Sequence, residues 1–194
     1  MFYLSKPTAK EIGHLIKIQS ELPFSYKDVG ATKNHETPEG FPINQLRKKL
    51  GNGEIVFKKA VEAMKFWQMY ALDWTQIVPE NVPMKEGEIV VTMINHLGFW
   101  SLNPCRIIYL IDEKTDAFQK TGFAFGTLPA HSEKGEEQFQ IEWNFKTDEV
   151  FYEIFAFAKP QNPLAKIAFP YVKYLQKSFA ADSYKAMLNF VNSA

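Results

Sequence analysis

A chain of 194 residues with 46% hydrophobic and 15% aromatic residues is long enough for one sizeable core, and this composition excludes disorder over most of its length. Lysine plus arginine and aspartate plus glutamate number 22 each; the net charge is zero, without the basic excess of a nucleic-acid binder. The one cysteine, Cys105, excludes an intramolecular disulfide, and its alternation with Ile107 and Tyr109 reads as a small core residue.

The N-terminal residues MFYLSKPTAKE lack the apolar segment of a signal peptide, and no apolar run approaches the roughly 18 residues of a membrane span. The expectation is a cytoplasmic protein. Thr8 to Ser20 reads as a helix, opened by the T-x-x-E capping box of Thr8 and Glu11, with Ile12, Leu15 and Ile16 on one face and His14 off it. The run LPFSYKDVGATKNHETPEGFP, which holds His35, reads as a loop. A short strand is expected over Ile43 to Leu50, with Arg47-Lys48-Lys49 solvated. The next helix, capped by Asn52, presents Phe57, Ala60, Val61, Met64 and Trp67 on one face.

Six strand candidates follow at short spacing: Trp74–Val78, Glu88–Leu97, Arg106–Ile111, Thr121–Thr127, Glu137–Phe145 and Val150–Ala158. The connections, including Gly98/Pro104 and Lys146–Glu149, are too short for parallel crossovers, so neighbours should be antiparallel. A long helix closes the chain, with Asn162 as cap, Pro163 at its first position, a kink at Pro170, and a stripe of Leu164, Ala168, Tyr171, Leu175 and Phe179. This order predicts an α+β helix-grip fold, a curved antiparallel sheet wrapped around a long C-terminal helix, like that of START-like and birch-pollen-allergen-like proteins. Residues 43–194 would form that domain, and residues 1–42 an extension packed on it.

Several stretches also resemble the nineteen-ninety domain-of-unknown-function family: LPFSYKDVGAT (22–32), LGNGEIVFKKAVEAMKFWQMY (50–70), NPCRIIY (103–109), GFAFGTLPAHSEKGEEQFQIEW (122–143), FAFAKP (155–160) and Gln176. The similarity runs nearly end to end, and G-T-L-P-x-H…G-E-E is its most specific block. Phe125 departs from it, where a tyrosine is expected. The resemblance implies a fold and marked positions, not a reaction.

No chemical motif stands out. His131 and Glu133 supply too few ligands for a metal, no cofactor is expected, and neither a nucleophile elbow nor a phosphate loop is present. The remaining expectation is a cavity between sheet and C-terminal helix that holds a small apolar or amphipathic molecule. Trp67, Arg106, Phe139, Trp143 and Tyr171 are its candidate ligand-binding residues. The alternative is an enzyme using His131 and Glu137 as acid and base at the cavity mouth. Along GEEQFQIEWNF strict alternation sends Glu137, Phe139, Ile141 and Trp143 inward and Glu136 outward. Glu137 would then need a partner, with Arg106 and His131 as candidates. A four-residue turn pairing Ile141 with Ile154 leaves Phe151, Phe155 and Phe157 on the outer face, to be covered by residues 1–42.

Overall fold

The computed structural model describes residues 1–96, 98–161 and 169–193. Helix α1 (Ala9–Ser20) begins as its capping box dictates: Thr8 Oγ1 accepts the Glu11 N–H at 3.3 Å, and Glu11 Oε2 accepts the Thr8 N–H at 2.7 Å. Seven antiparallel strands follow: β2 (Ile43–Asn52), β3 (Thr75–Val78), β4 (Ile89–His96), β5 (Phe99–Lys114), β6 (Phe118–Thr127), β7 (Glu133–Asn144) and β8 (Glu149–Pro160). They lie in the order β2-β8-β7-β6-β5-β4-β3. A two-residue strand, β1 (Phe2–Tyr3), pairs with Ser101 and Trp100 of β5, just short of Cys105, where β5 begins to pair with β6. The sheet curls into a half-barrel, with helix α2 (Gly53–Lys65) and the C-terminal helix α3 (Phe169–Asn192) against its concave face. No helix among the described residues is long and apolar enough to cross a membrane.

The core divides by sheet face. Phe57 and Met64 of α2, Phe123, Phe139, Ile141 and Tyr152 of the sheet, and Met187 of α3 fill the concave side. On the convex side Leu15 of α1 packs with Val91, Met93, Leu102 and Leu128. Leu15 is 3% exposed, and its removal from water contributes roughly 1.5–3 kcal/mol.

Four local expectations are corrected. The chain does not break at Pro104, which pairs with Val91 inside β5. Asn52 makes no side-chain cap; the Gly53 N–H instead donates to the Asp148 carbonyl at 2.9 Å. Arg47 is not merely solvated, since it bridges Glu142 at 2.8 Å and Glu153 at 2.7 Å. The β7–β8 register is two residues from the one expected: Ile141 faces Tyr152, and Phe139 faces Ile154. An even slip preserves the faces, so Phe151, Phe155 and Phe157 remain on the convex side. Arg47 lies over Phe151, His35 stacks on Phe155 with ring centroids 4.6 Å apart, and Tyr26 and Phe41 meet Phe157 edge-on. The expected Asn162 cap, Pro163, Leu164 and Ala168 lie outside the described residues. Pro170 falls in the first described turn of α3, so the segment on which its kink would be judged also lies outside them.

Candidate functional site

A cavity of about 740 Å³ lies between α3 and the concave face of the sheet. At one end of that face α2 fills the space, with Phe57 against Trp143. At the other, Ile94, Phe125, Val172, Leu175 and Phe179 line an open volume. Apolar surface dominates the wall, and the polar groups are few and clustered.

The first cluster comes from β7. Glu133, Gly135 and Glu137 share a face by the two-residue period, so both carboxyls point into the cavity, with no side chain between them. Gly135 is required there, because a Cβ would collide with the Phe157 carbonyl of neighbouring β8. Gln176 of α3 donates to Glu133 Oε1 at 2.7 Å. The Tyr70 hydroxyl donates to Glu137 Oε2 at a long 3.4 Å. Among the described residues neither carboxylate forms an ion pair. Both residues are half-buried, open only to the cavity, and loss of water around their carboxyls dominates their chemistry. It raises Glu133 to about 7, partly offset by the Gln176 hydrogen bond. It raises Glu137 to about 8, helped by the neighbouring Glu133 charge and opposed by Tyr70. Near neutral pH the pair exchanges protons with its surroundings.

His131 also lines the cavity but does not bond Glu137. Its Nδ1 accepts the Glu133 N–H at 2.9 Å, which fixes the ring beside the start of β7. Burial first, then the nearby N-terminal ammonium, lower its pKa to about 3, so the ring is neutral across the physiological range.

The second cluster is a neutral hydrogen-bond chain on β4 and β5. His96 Nε2 lies 2.8 Å from Ser101 Oγ, which accepts from Asn103 Nδ2 at 2.9 Å. The other ring nitrogen, Nδ1, lies 3.4 Å from the Tyr171 hydroxyl, so the His96 tautomer sets which of these contacts the ring donates. Burial lowers the His96 pKa, consistent with a neutral ring. Ser101 is 1% exposed, so its hydroxyl serves the wall and is not open to attack a substrate.

Glu136 faces the convex side, as alternation requires, but it is not solvated. It is buried beneath residues 26–32 and accepts from the Tyr26 hydroxyl at 2.7 Å, the Gly30 N–H at 2.7 Å, the Thr32 N–H at 3.0 Å and the Thr32 hydroxyl. Sequence reasoning missed this site, because its partners are more than a hundred residues away. Gly126 makes room for it: a Cβ there would strike the Tyr26 hydroxyl.

Of the residues expected at the ligand, Tyr171, His131 and Glu137 reach the cavity wall. Trp67 and Phe139 stand behind it in the core, where Trp67 Nε1 donates to the Val82 carbonyl and Phe139 stacks on Phe123. Trp143 lies at the α2 end, its Nε1 donating to Asp148. Arg106 is on the convex side and cannot serve Glu137; it caps the end of α1 by donating to the carbonyls of Gln19, Ser20 and Leu22. Glu133 and Gln176 belong to the wall as well, and alternation extended four residues back from Glu137, past Gly135, would have found Glu133.

Residues 25–186 match a family described as a domain of unknown function, DUF1990. A UPF0548 protein of Dictyostelium discoideum is 35% identical over 209 residues, covering 100% of this chain and 97% of that one. A UPF0548 protein of Deinococcus radiodurans is 30% identical over 200 residues, covering 97% of each. Among solved structures, a hypothetical protein from Helicobacter pylori is similar with a TM-score of 0.51 at 12% identity, over 79% of this chain and 89% of that one. Ara h 8.0201 is similar with a TM-score of 0.50 at 17% identity, over 80% of this chain and 100% of that one. These two likenesses show the fold alone, the birch-pollen-allergen-like helix grip. The chain belongs to the DUF1990 family.

Proposed function

We propose that this DUF1990 protein binds a small apolar or amphipathic molecule between its sheet and its C-terminal helix. The cavity carries the reading. At about 740 Å³ it falls within the roughly 300–1,000 Å³ of small-molecule sites, whereas well-packed interiors keep few voids larger than a water. Its apolar wall with two polar clusters suits a molecule with an apolar body and a polar head. The test is uptake of N-phenyl-1-naphthylamine, followed by fluorescence, in wild type and in Val172→Trp, which places an indole in the cavity. Saturable uptake lost in the variant supports the reading, and no uptake by wild type refutes it.

A second reading, acid/base chemistry on the bound molecule, draws on Glu133 at about 7 and Glu137 at about 8. Groups in that range can give and take a proton at neutral pH. Glu133 replaces His131 as the partner in this reading, because the imidazole is too weak a base. Its test is a mass change in a co-purified ligand on incubation, abolished in Glu137→Gln.

A further inference from the structure

We infer that the polar head of the ligand is a protonated amine, seated between Glu133 and Glu137 with the apolar body along Phe125, Leu175 and Phe179. The inference rests on the cavity reading and names its ligand class. Both carboxyls emerge from one face of β7 into the same void, and Gly135, between them in the strand, carries no side chain. Their hydrogen bonds within the protein are incomplete. Gln176 occupies one oxygen of Glu133, and Tyr70 reaches one oxygen of Glu137 only at 3.4 Å. Among the described residues the other two oxygens accept nothing, though a carboxylate has room for about four hydrogen bonds. An ammonium head carries up to three N–H donors, enough to fill a free oxygen of either acid by a charge-assisted hydrogen bond.

Charge decides between heads. A carboxylate or phosphate ligand would meet two acidic groups, a repulsion that works against it. A neutral hydroxyl can be held but gains little from the second acid. A cation offsets the cost of desolvating two carboxyls on one wall of the cavity, which is otherwise met by protonating them. The other titratable groups around the pair are Tyr70, Cys105 and Tyr152 behind it, the neutral His131 beside it with the Met1 ammonium near that ring, and Lys173 and Lys177 along the helix side of the cavity. A bound ammonium would draw both carboxyls into their ionised form, so amine affinity should rise as pH passes from about 6 to about 9.

The experiment uses the full chain and three ten-carbon probes, decylamine, decanol and decanoate, each displacing N-phenyl-1-naphthylamine at pH 6, 7.5 and 9. Decylamine is expected to bind about ten- to a hundredfold more tightly than decanol at pH 9, the range set by one charge-assisted hydrogen bond, with decanoate weakest. Glu137→Gln and Glu133→Gln should each remove most of that preference and its pH dependence. Saturable uptake of the apolar N-phenyl-1-naphthylamine by the variants shows that the cavity is intact. Equal affinity for decylamine and decanol, preference for decanoate, or an amine preference that survives both substitutions overturns the amine inference alone. Failure of all three probes and of the reporter to bind wild type overturns the cavity reading with it.

Discussion

Replacing Glu137 by glutamine should make the protein more stable at alkaline pH and leave it unchanged at acid pH. Burial and the adjacent Glu133 charge lift the Glu137 carboxyl from its ordinary 4.5 to about 8 in the folded state, while in the unfolded chain it returns to the ordinary value. For a folded pKa raised in this way, the associated stability is fully present below about 4.5 and is lost as pH rises through about 8. At 1.36 kcal/mol per pH unit, moving the group from 4.5 to about 8 amounts to about 5 kcal/mol. Water entering the open cavity screens part of this, so we expect a measurable difference on the order of 2–3 kcal/mol. Glutamine resembles the protonated acid in shape and hydrogen bonding, so below pH 5 the two proteins should coincide. Urea unfolding at pH 5, 7, 8.5 and 9.5, with midpoint and slope followed separately, reads the effect directly. Wild type should lose stability towards pH 9.5 faster than the variant. Parallel pH profiles would refute the desolvated state, without a cationic partner among the described residues, assigned to Glu137.

Glu136→Gln should cost about 2–4 kcal/mol, because it removes a buried carboxyl oxygen that accepts from Tyr26, Gly30 and Thr32; the urea midpoint, together with faster proteolysis between residues 22 and 42, checks it. Residues 1–42, which we propose as an extension that shields the convex face, should be required for solubility; a deletion variant with unchanged solubility and midpoint would remove that role. The His131 ring, lowered to about 3, should show proton resonances that do not move between pH 5 and 8, and titration near 6.5 would contradict its burial. Val172→Trp should stay within about 1–3 kcal/mol of wild type in stability, since it fills a void instead of a packed core; circular dichroism melts check this.

Where local rules govern, the structure was legible in the sequence. The T-x-x-E box placed α1 within a residue, and the alternation along β7 assigned the faces of Glu136, Glu137 and Phe139. Misjudgements arose where a non-local partner decides. Pro104 looks like a strand breaker, yet its carbonyl accepts the Leu128 N–H at 3.0 Å. In an antiparallel strand a residue's N–H and C=O point to the same side, so the missing donor falls at the end of the β6 ladder, where it costs little. Parity survived the two-residue register error because the turn length shifted by an even number. Arg106 was assigned to the cavity from its charge, but the strand around it sends its side chain to the convex face and the end of α1. The role of Glu136 was illegible for a different reason: SYKDVGAT (25–32) and the GEE block (135–137) are each polar loop-like text, and only the fold brings Tyr26, Gly30 and Thr32 onto that carboxylate.

Native mass spectrometry of the protein gently purified from its own source tests ligand binding most directly. A bound small molecule, released on denaturation, with an apolar body and absent from Val172→Trp, is the expected result. A bare polypeptide mass, combined with no saturable uptake of any apolar probe by that same preparation, would contradict the account.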